Sequence, residues 1–182
     1  YSSIAHVGYL AIAFLAGGNT ALEAGAAYLT VYIITSLGSF GVVALRSAEA
    51  GGADRDDWED YRGLLYTRPA IGALFALTLF SLAGLPLTAG FIGKLYLFQA
   101  GLHASAWILL ASLIINSGLG LYYYLRLALA VCTPVQGDAR HAAPLAWSGA
   151  FVVAAVGVAL LWAGVFPGSL INSIHHFVLS AR

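Results

Sequence analysis

The chain has 182 residues, 60% of them hydrophobic and 9% charged, with zero formal net charge and a mean hydropathy of +0.86. A soluble domain averages about 25% charged residues, so this is an integral membrane protein with almost no room for a soluble domain. The balanced charge offers nothing to nucleic acid. Cys132 is the only cysteine, which excludes an intrachain disulfide framework and a cysteine-rich metal or iron–sulfur site. The sequence contains no methionine and opens on YSSIAHVGYLAIAF. It therefore reads as a fragment lacking an N-terminal part, without a signal peptide.

A membrane-spanning helix needs about 20 apolar residues. The first such stretch runs from Tyr1 to Leu15, with a turn expected at Gly17-Gly18-Asn19-Thr20. The second runs from Leu22 to Leu45, with Glu23 expected in its first turn, where the helix dipole favours an acid. Residues 46–68 form a polar interfacial connection holding six of the eight acids: Glu49, Asp54, Asp56, Asp57, Glu59 and Asp60. Trp58, Tyr61, Leu64 and Leu65 recur there at helical spacing, which predicts a short amphipathic helix whose charges form a solvated face.

The run Pro69 to Leu102 is too long for one span and short for two, and Gly84-Leu85-Pro86 interrupts it. Helices are expected over about 69–84 and 87–103. Lys94, the only lysine in the chain, lies within the second, and the whole run has no other acidic, basic or histidine residue. A charge at bilayer depth costs about 3 kcal/mol on insertion scales. That cost usually accompanies a polar pathway; the bland alternative is a lysine snorkelling to a helix end. Gly90 and Gly93 beside it permit close helix approach, or a local break facing a polar cavity.

A fifth stretch, Ala106 to Val131, contains Ser112, Asn116, Ser117 and the run Tyr122-Tyr123-Tyr124-Leu125-Arg126. Ser112 and Asn116 share a helix face. They suit either the lining of a hydrated path or a bond between helices. Arg126 is expected to snorkel to the interface and the tyrosines to form an interfacial belt. Thr133 to Pro144 reads as a polar loop with Asp138, Arg140 and His141. The sixth stretch covers Leu145 to Phe166 and ends at Pro167-Gly168, leaving an interfacial tail in which His175 and His176 face different ways. The class is thus all-α, a polytopic helix bundle of about six helices with one discontinuous, forming a single transmembrane domain over residues 1–182. No nucleotide-binding, haem-attachment or catalytic-triad pattern is present. The intramembrane polar groups suit proton or cation movement better than bond chemistry.

Four stretches in the same order, YSSIAHVGYLAIAF, YLTVYIITSLGSFGVVAL, YRGLLYTRPAIGALFALTLFSLAGLPLTAGFIGKLYLF and SGLGLYYYLRLALAV, resemble the antiporter-like membrane subunits of respiratory complex I. GFIGK and LYYYLR favour the N-type branch of that family. The resemblance covers nearly the whole chain. It implies a fold of about fourteen helices with two inverted repeats, of which this chain would hold the second repeat and the last helix, helices nine to fourteen. It places Lys94 on a discontinuous helix, in a central row of lysines, histidines and glutamates that carries protons. His6 either joins that hydrated row or is a satisfied core residue.

By the same resemblance the chain would be a proton-translocating subunit of NADH–quinone oxidoreductase, in a bacterial inner membrane, partnered by other membrane-arm subunits and lipid. NADH, FMN, iron–sulfur clusters and quinone would be bound by other subunits, with no cofactor or metal in this chain. The alternatives are a subunit of a multisubunit cation/proton antiporter and a hydrophobic scaffold that positions other subunits.

Overall fold

The computed structural model describes residues 2–49, 57–134 and 147–180. These residues form helices α1 (Ser2–Ala16), α2 (Gly18–Glu49), α3 (Leu64–Thr67), α4 (Pro69–Ala83), α5 (Ala89–His103), α6 (Trp107–Cys132), α7 (Trp147–Val165) and α8 (Pro167–Ser180), and no strand. The first turn is tighter than expected. Gly17 and Gly18 take φ of +66° and +78°, open to glycine at no steric cost, so α2 already begins at Gly18. Glu23 consequently lies beyond the first turn of α2 and is not a dipole partner. It pairs instead with His175 of α8, Oε1 to Nδ1 at 2.7 Å.

The 32 residues of α2 make it the spine of the bundle. The two helices expected on either side of Gly84-Leu85-Pro86 are halves of one broken rod lying antiparallel to it. Val42 of α2 clusters with Ile71, Leu74 and Phe75 of α4. Thr35 meets Ser81, Val31 meets Ala89, and Tyr28 packs on Gly93. Descending α2 therefore matches ascending α4 and then α5. α6 runs antiparallel to the same rod, with Tyr124 and Ala128 beside α4 and Leu110 against Gly101 of α5.

Each half has 15 residues, about 22 Å at 1.5 Å per residue. Neither reaches across a hydrocarbon core of about 30 Å, but end to end they do. Among the described residues the bundle thus has five rods: α1, α2, α4–α5, α6 and α7. By length and apolarity α2 and α6 can each cross a membrane alone, and the pair α7–α8, bent by 92°, adds a third if taken as one span.

Local chemistry sets the break. Pro69 starts α4 at the position where a missing N–H costs nothing. Gly84, in the left-handed region at φ +79°, stops it and returns its N–H to Phe80 O and Ser81 O. Thr88 then caps α5, its Oγ1 accepting from Phe91 N at 3.4 Å.

The expected amphipathic helix before α4 does not form as one piece. A 3-10 turn at Trp58–Tyr61 is separated from α3 by Gly63, whose φ of +69° a continuous helix excludes. Tyr61 and Leu64 are buried as the spacing required, whereas Trp58 is exposed. Asp54 and Asp56 lie outside the described residues, as do Asp138, Arg140 and His141 of the later loop. The expected tail after Pro167 is helical. α8 docks through Leu170 onto Val31, Ala89 and Ala163. Of the tyrosine run, Tyr122 and Tyr123 are exposed, in keeping with a belt, but Tyr124 is buried with its hydroxyl bonded to Ser2 Oγ.

A lysine at a helix break

The end of α4 leaves carbonyls that no further turn of helix satisfies. Gly84 and Leu85 supply N–H groups to Phe80 O and Ser81 O. The next two carbonyls, Leu82 O and Ala83 O, each accept from Lys94 Nζ at 3.1 Å. The third N–H of the ammonium goes to Ser117 Oγ of α6, at 3.0 Å. An ammonium has three donors and no acceptor, so this set matches the charged form completely. Hydrogen bonds to a charged group are worth about 1.5–3 kcal/mol each, and the negative end of the α4 dipole adds to them. Lys94 is only 8% exposed, which rules out snorkelling.

The backbone around the ammonium is built for close approach. A Cβ on Gly90 would stand 1.8 Å from Ser81 O, so the halves of the rod touch there backbone to backbone. Gly90 N donates to Ser81 Oγ at 3.0 Å, and that hydroxyl lies 3.3 Å from Thr35 Oγ1 of α2. A Cβ on Gly84 would stand 2.9 Å from Lys94 Nζ. Gly93 admits the ring of Tyr28, whose Cδ2 would be 3.0 Å from a Cβ there. Gly164 of α7 packs against the break, since a Cβ on it would stand 2.9 Å from Leu87 O.

His6 of α1 is buried, 5% exposed, and its Nδ1 shares a 2.6 Å hydrogen bond with Tyr28 OH. Its ring stacks on Tyr32 at 4.6 Å and meets Tyr9 edge-on at 5.5 Å. Tyr9 in turn presents its ring 5.6 Å from Lys94 Nζ. Tyr9 thus stands between His6 and Lys94, and both readings of His6 keep a basis: its hydrogen bond is satisfied, and it is one ring away from the lysine.

On the side away from α2, Lys94 and Ser117 border a cavity of about 350 Å³, otherwise lined by apolar residues such as Pro86, Phe91, Phe98 and Leu121. Gly90 and Gly93 act as packing positions, and Ser112 and Asn116 are not brought to the lysine. They lie on an exposed face of α6, where Asn116 Nδ2 donates to Ser112 O and Oγ at 2.8 and 3.1 Å. Among the described residues no group of three or more His, Cys, Asp or Glu is placed to hold a metal.

Sequence reasoning placed Lys94, the break and the glycines. It missed Tyr9, Tyr28, Thr35 and Ser81, and it did not couple Ser117 to the lysine. The available signal was Tyr28 and Tyr32 at i, i+4 on one face of α2. Their pairing with α1 depends on tertiary contact.

Comparison with known proteins bears on the family and the fold. A family model described as NADH:quinone oxidoreductase/Mrp antiporter, TM, matches residues 1–120. NADH-quinone oxidoreductase subunit N of Ectopseudomonas mendocina is 41% identical over 184 aligned residues, covering 100% of this chain and 37% of that protein. The subunit of the same name from Chromohalobacter salexigens is 41% identical over 181, covering 98% and 38%. Among solved structures, a chain of respiratory complex I from Thermus thermophilus with bound aureothin superposes with a TM-score of 0.77 at 35% identity, over 96% of this chain and 38% of that one. The chain therefore spans little more than a third of the length of these relatives. With a family model matched over most of its length and a broken membrane rod carrying its lysine, the chain belongs to the NADH:quinone oxidoreductase/Mrp antiporter transmembrane family.

Proposed function

We propose that this chain is part of a proton-translocating membrane subunit of NADH–quinone oxidoreductase, the N-type subunit, in a bacterial inner membrane. Lys94 is its proton-carrying group. The observation that carries the reading is a buried ammonium whose partners are the open end of a half-helix and one hydroxyl. Burial opposes the charge, while the α4 carbonyls and dipole favour it. A group held between opposed effects of this size changes protonation when neighbouring charge or hydration changes. Electron transfer among NADH, FMN, iron–sulfur clusters and quinone, all bound by other subunits, supplies that change through the membrane-arm partners. His6 would join the path on the α1 side, where its Nδ1 is bonded to Tyr28 OH and the Tyr9 ring separates it from Lys94.

The test is NADH-driven proton uptake in vesicles holding the complete complex with Lys94→Met in the full-length subunit. Normal assembly with reduced uptake is the expected result, and undiminished uptake refutes the role. Lys94→Arg separates charge from titration, because arginine does not release its proton at accessible pH. It should assemble and pump poorly.

The family description also covers antiporters of the Mrp type, so a subunit of a multisubunit cation/proton antiporter is the second reading. Sodium-dependent proton flux without NADH would favour it.

A further inference from the structure

α6 carries one charged residue, Arg126, in a 26-residue apolar helix. Near the end of that helix Gly63 N donates to Ala130 O, which ties α6 to the polar connection and marks this level as the membrane surface. There Trp58, Arg62, Tyr122, Leu125, Arg126 and Leu129 line an open recess of about 470 Å³. The guanidinium of Arg126 lies 5.1 Å over the Trp58 ring. Stacking uses the face of a guanidinium and leaves its N–H donors, which point outward in its plane, unspent. Among the described residues Arg126 has no acidic partner. Among the described residues Arg62 pairs with Glu59 at 3.3 Å, with both side chains about half exposed, so the pair is worth little.

We propose that this recess binds the phosphate headgroup of an anionic phospholipid. Arg126 and Arg62 take the phosphate oxygens, Trp58 and Tyr122 flank the glycerol level, and Leu125 and Leu129 receive the start of the acyl chains. The lining itself offers two guanidinium groups and no carboxylate, Asp57, Glu59 and Asp60 standing on the flanking turn, so an anion is the charge that the lining can take. Aromatic rings beside arginines at the end of a spanning helix suit the headgroup layer. The recess does not involve Lys94, so this site stands or falls independently of the proposed proton path.

The probe is brominated phosphatidylglycerol, added to phosphatidylcholine vesicles that contain the full-length protein. The readout is the part of the tryptophan quenching that Trp58→Phe abolishes. Half-maximal quenching is expected at a low mole fraction of phosphatidylglycerol. Arg126→Gln should raise that fraction about fivefold, in line with the loss of one interfacial charge. Arg62→Gln, further from the helix core, should raise it less. Brominated phosphatidylcholine quenching Trp58 equally well would overturn the proposal. So would Arg126→Gln and Arg62→Gln proteins that keep their helical signal and show the unaltered phosphatidylglycerol dependence. Reversal of the quenching by inorganic phosphate at millimolar concentration would show instead a site for the free anion and would likewise overturn it.

Discussion

Lys94 spends its three donors on two carbonyls and one hydroxyl. Loss of a proton leaves an amine with two N–H groups and a lone pair. A carbonyl can only accept, so Ser117 is the partner able to turn its hydroxyl round and donate into that lone pair. Ser117→Ala removes this option and is expected to slow proton transfer about three- to tenfold, the scale of one net hydrogen bond. Ser117→Thr, which keeps the hydroxyl, should stay within about twofold of the parent. The measurement is NADH-driven uptake in assembled complex, and equal rates for the alanine and threonine variants would show that the hydroxyl is a bystander. The lysine itself was legible because a single charge in an apolar run is rare. Ser117 was not legible as its partner, because 23 residues and a helix reversal separate the two.

At the scale of elements, the glycine-proline interruption was readable and its geometry was not. Gly84 and Pro86 predict that helix stops there. Whether the chain then reverses or continues along the same axis is decided by what α2 offers on its flank. The unbroken α2 presents Thr35 to Ser81 and Tyr28 to Gly93 in sequence order, and so aligns the halves. For the same reason Glu23 was misplaced: the turn before α2 needs only glycine dihedrals, and the helix starts earlier than its apolar run. The contact at Gly90 gives a direct check on the alignment. Gly90→Ala forces a methyl into Ser81 O, and overpacking of this kind costs about 1–3 kcal/mol. Helical signal should be lost at a lower temperature in detergent. An unchanged melt would mean that the halves are not in backbone contact.

For the molecule as a whole, composition alone established a membrane protein, and the ordered motifs established the family. What remained beyond reach was the shared arrangement of α1, α2 and α6 around the rod. It depends on aromatic contacts such as His6 with Tyr28 and Tyr32, which have no local signature. Many large apolar side chains point outward, among them Ile4 and Phe14 on α1 and Ile108 and Ile115 on α6. In a membrane protein such faces meet lipid or neighbouring subunits at no cost. They differ in kind from the recess at Arg126, where charge selects the occupant.

The break is held unequally on its sides. α2 grips it through Thr35 and α7 through the notch at Gly164, whereas the flank beside α6 opens into the cavity bordered by Pro86, Phe91 and Gly118. Packing and open space beside the break therefore fall on different walls. The gripped walls keep the rod in register, and on the proposed proton role the open wall is the expected doorway for water. Gly118 has nothing within 4 Å of the position a Cβ would take, so a larger side chain enters empty space there without disturbing the packed walls. Gly118→Leu should leave thermal stability within about 0.5 kcal/mol of the parent, as surface changes usually do, yet slow NADH-driven uptake by obstructing the doorway. A variant that pumps at full speed with the doorway filled would place the water route on another wall.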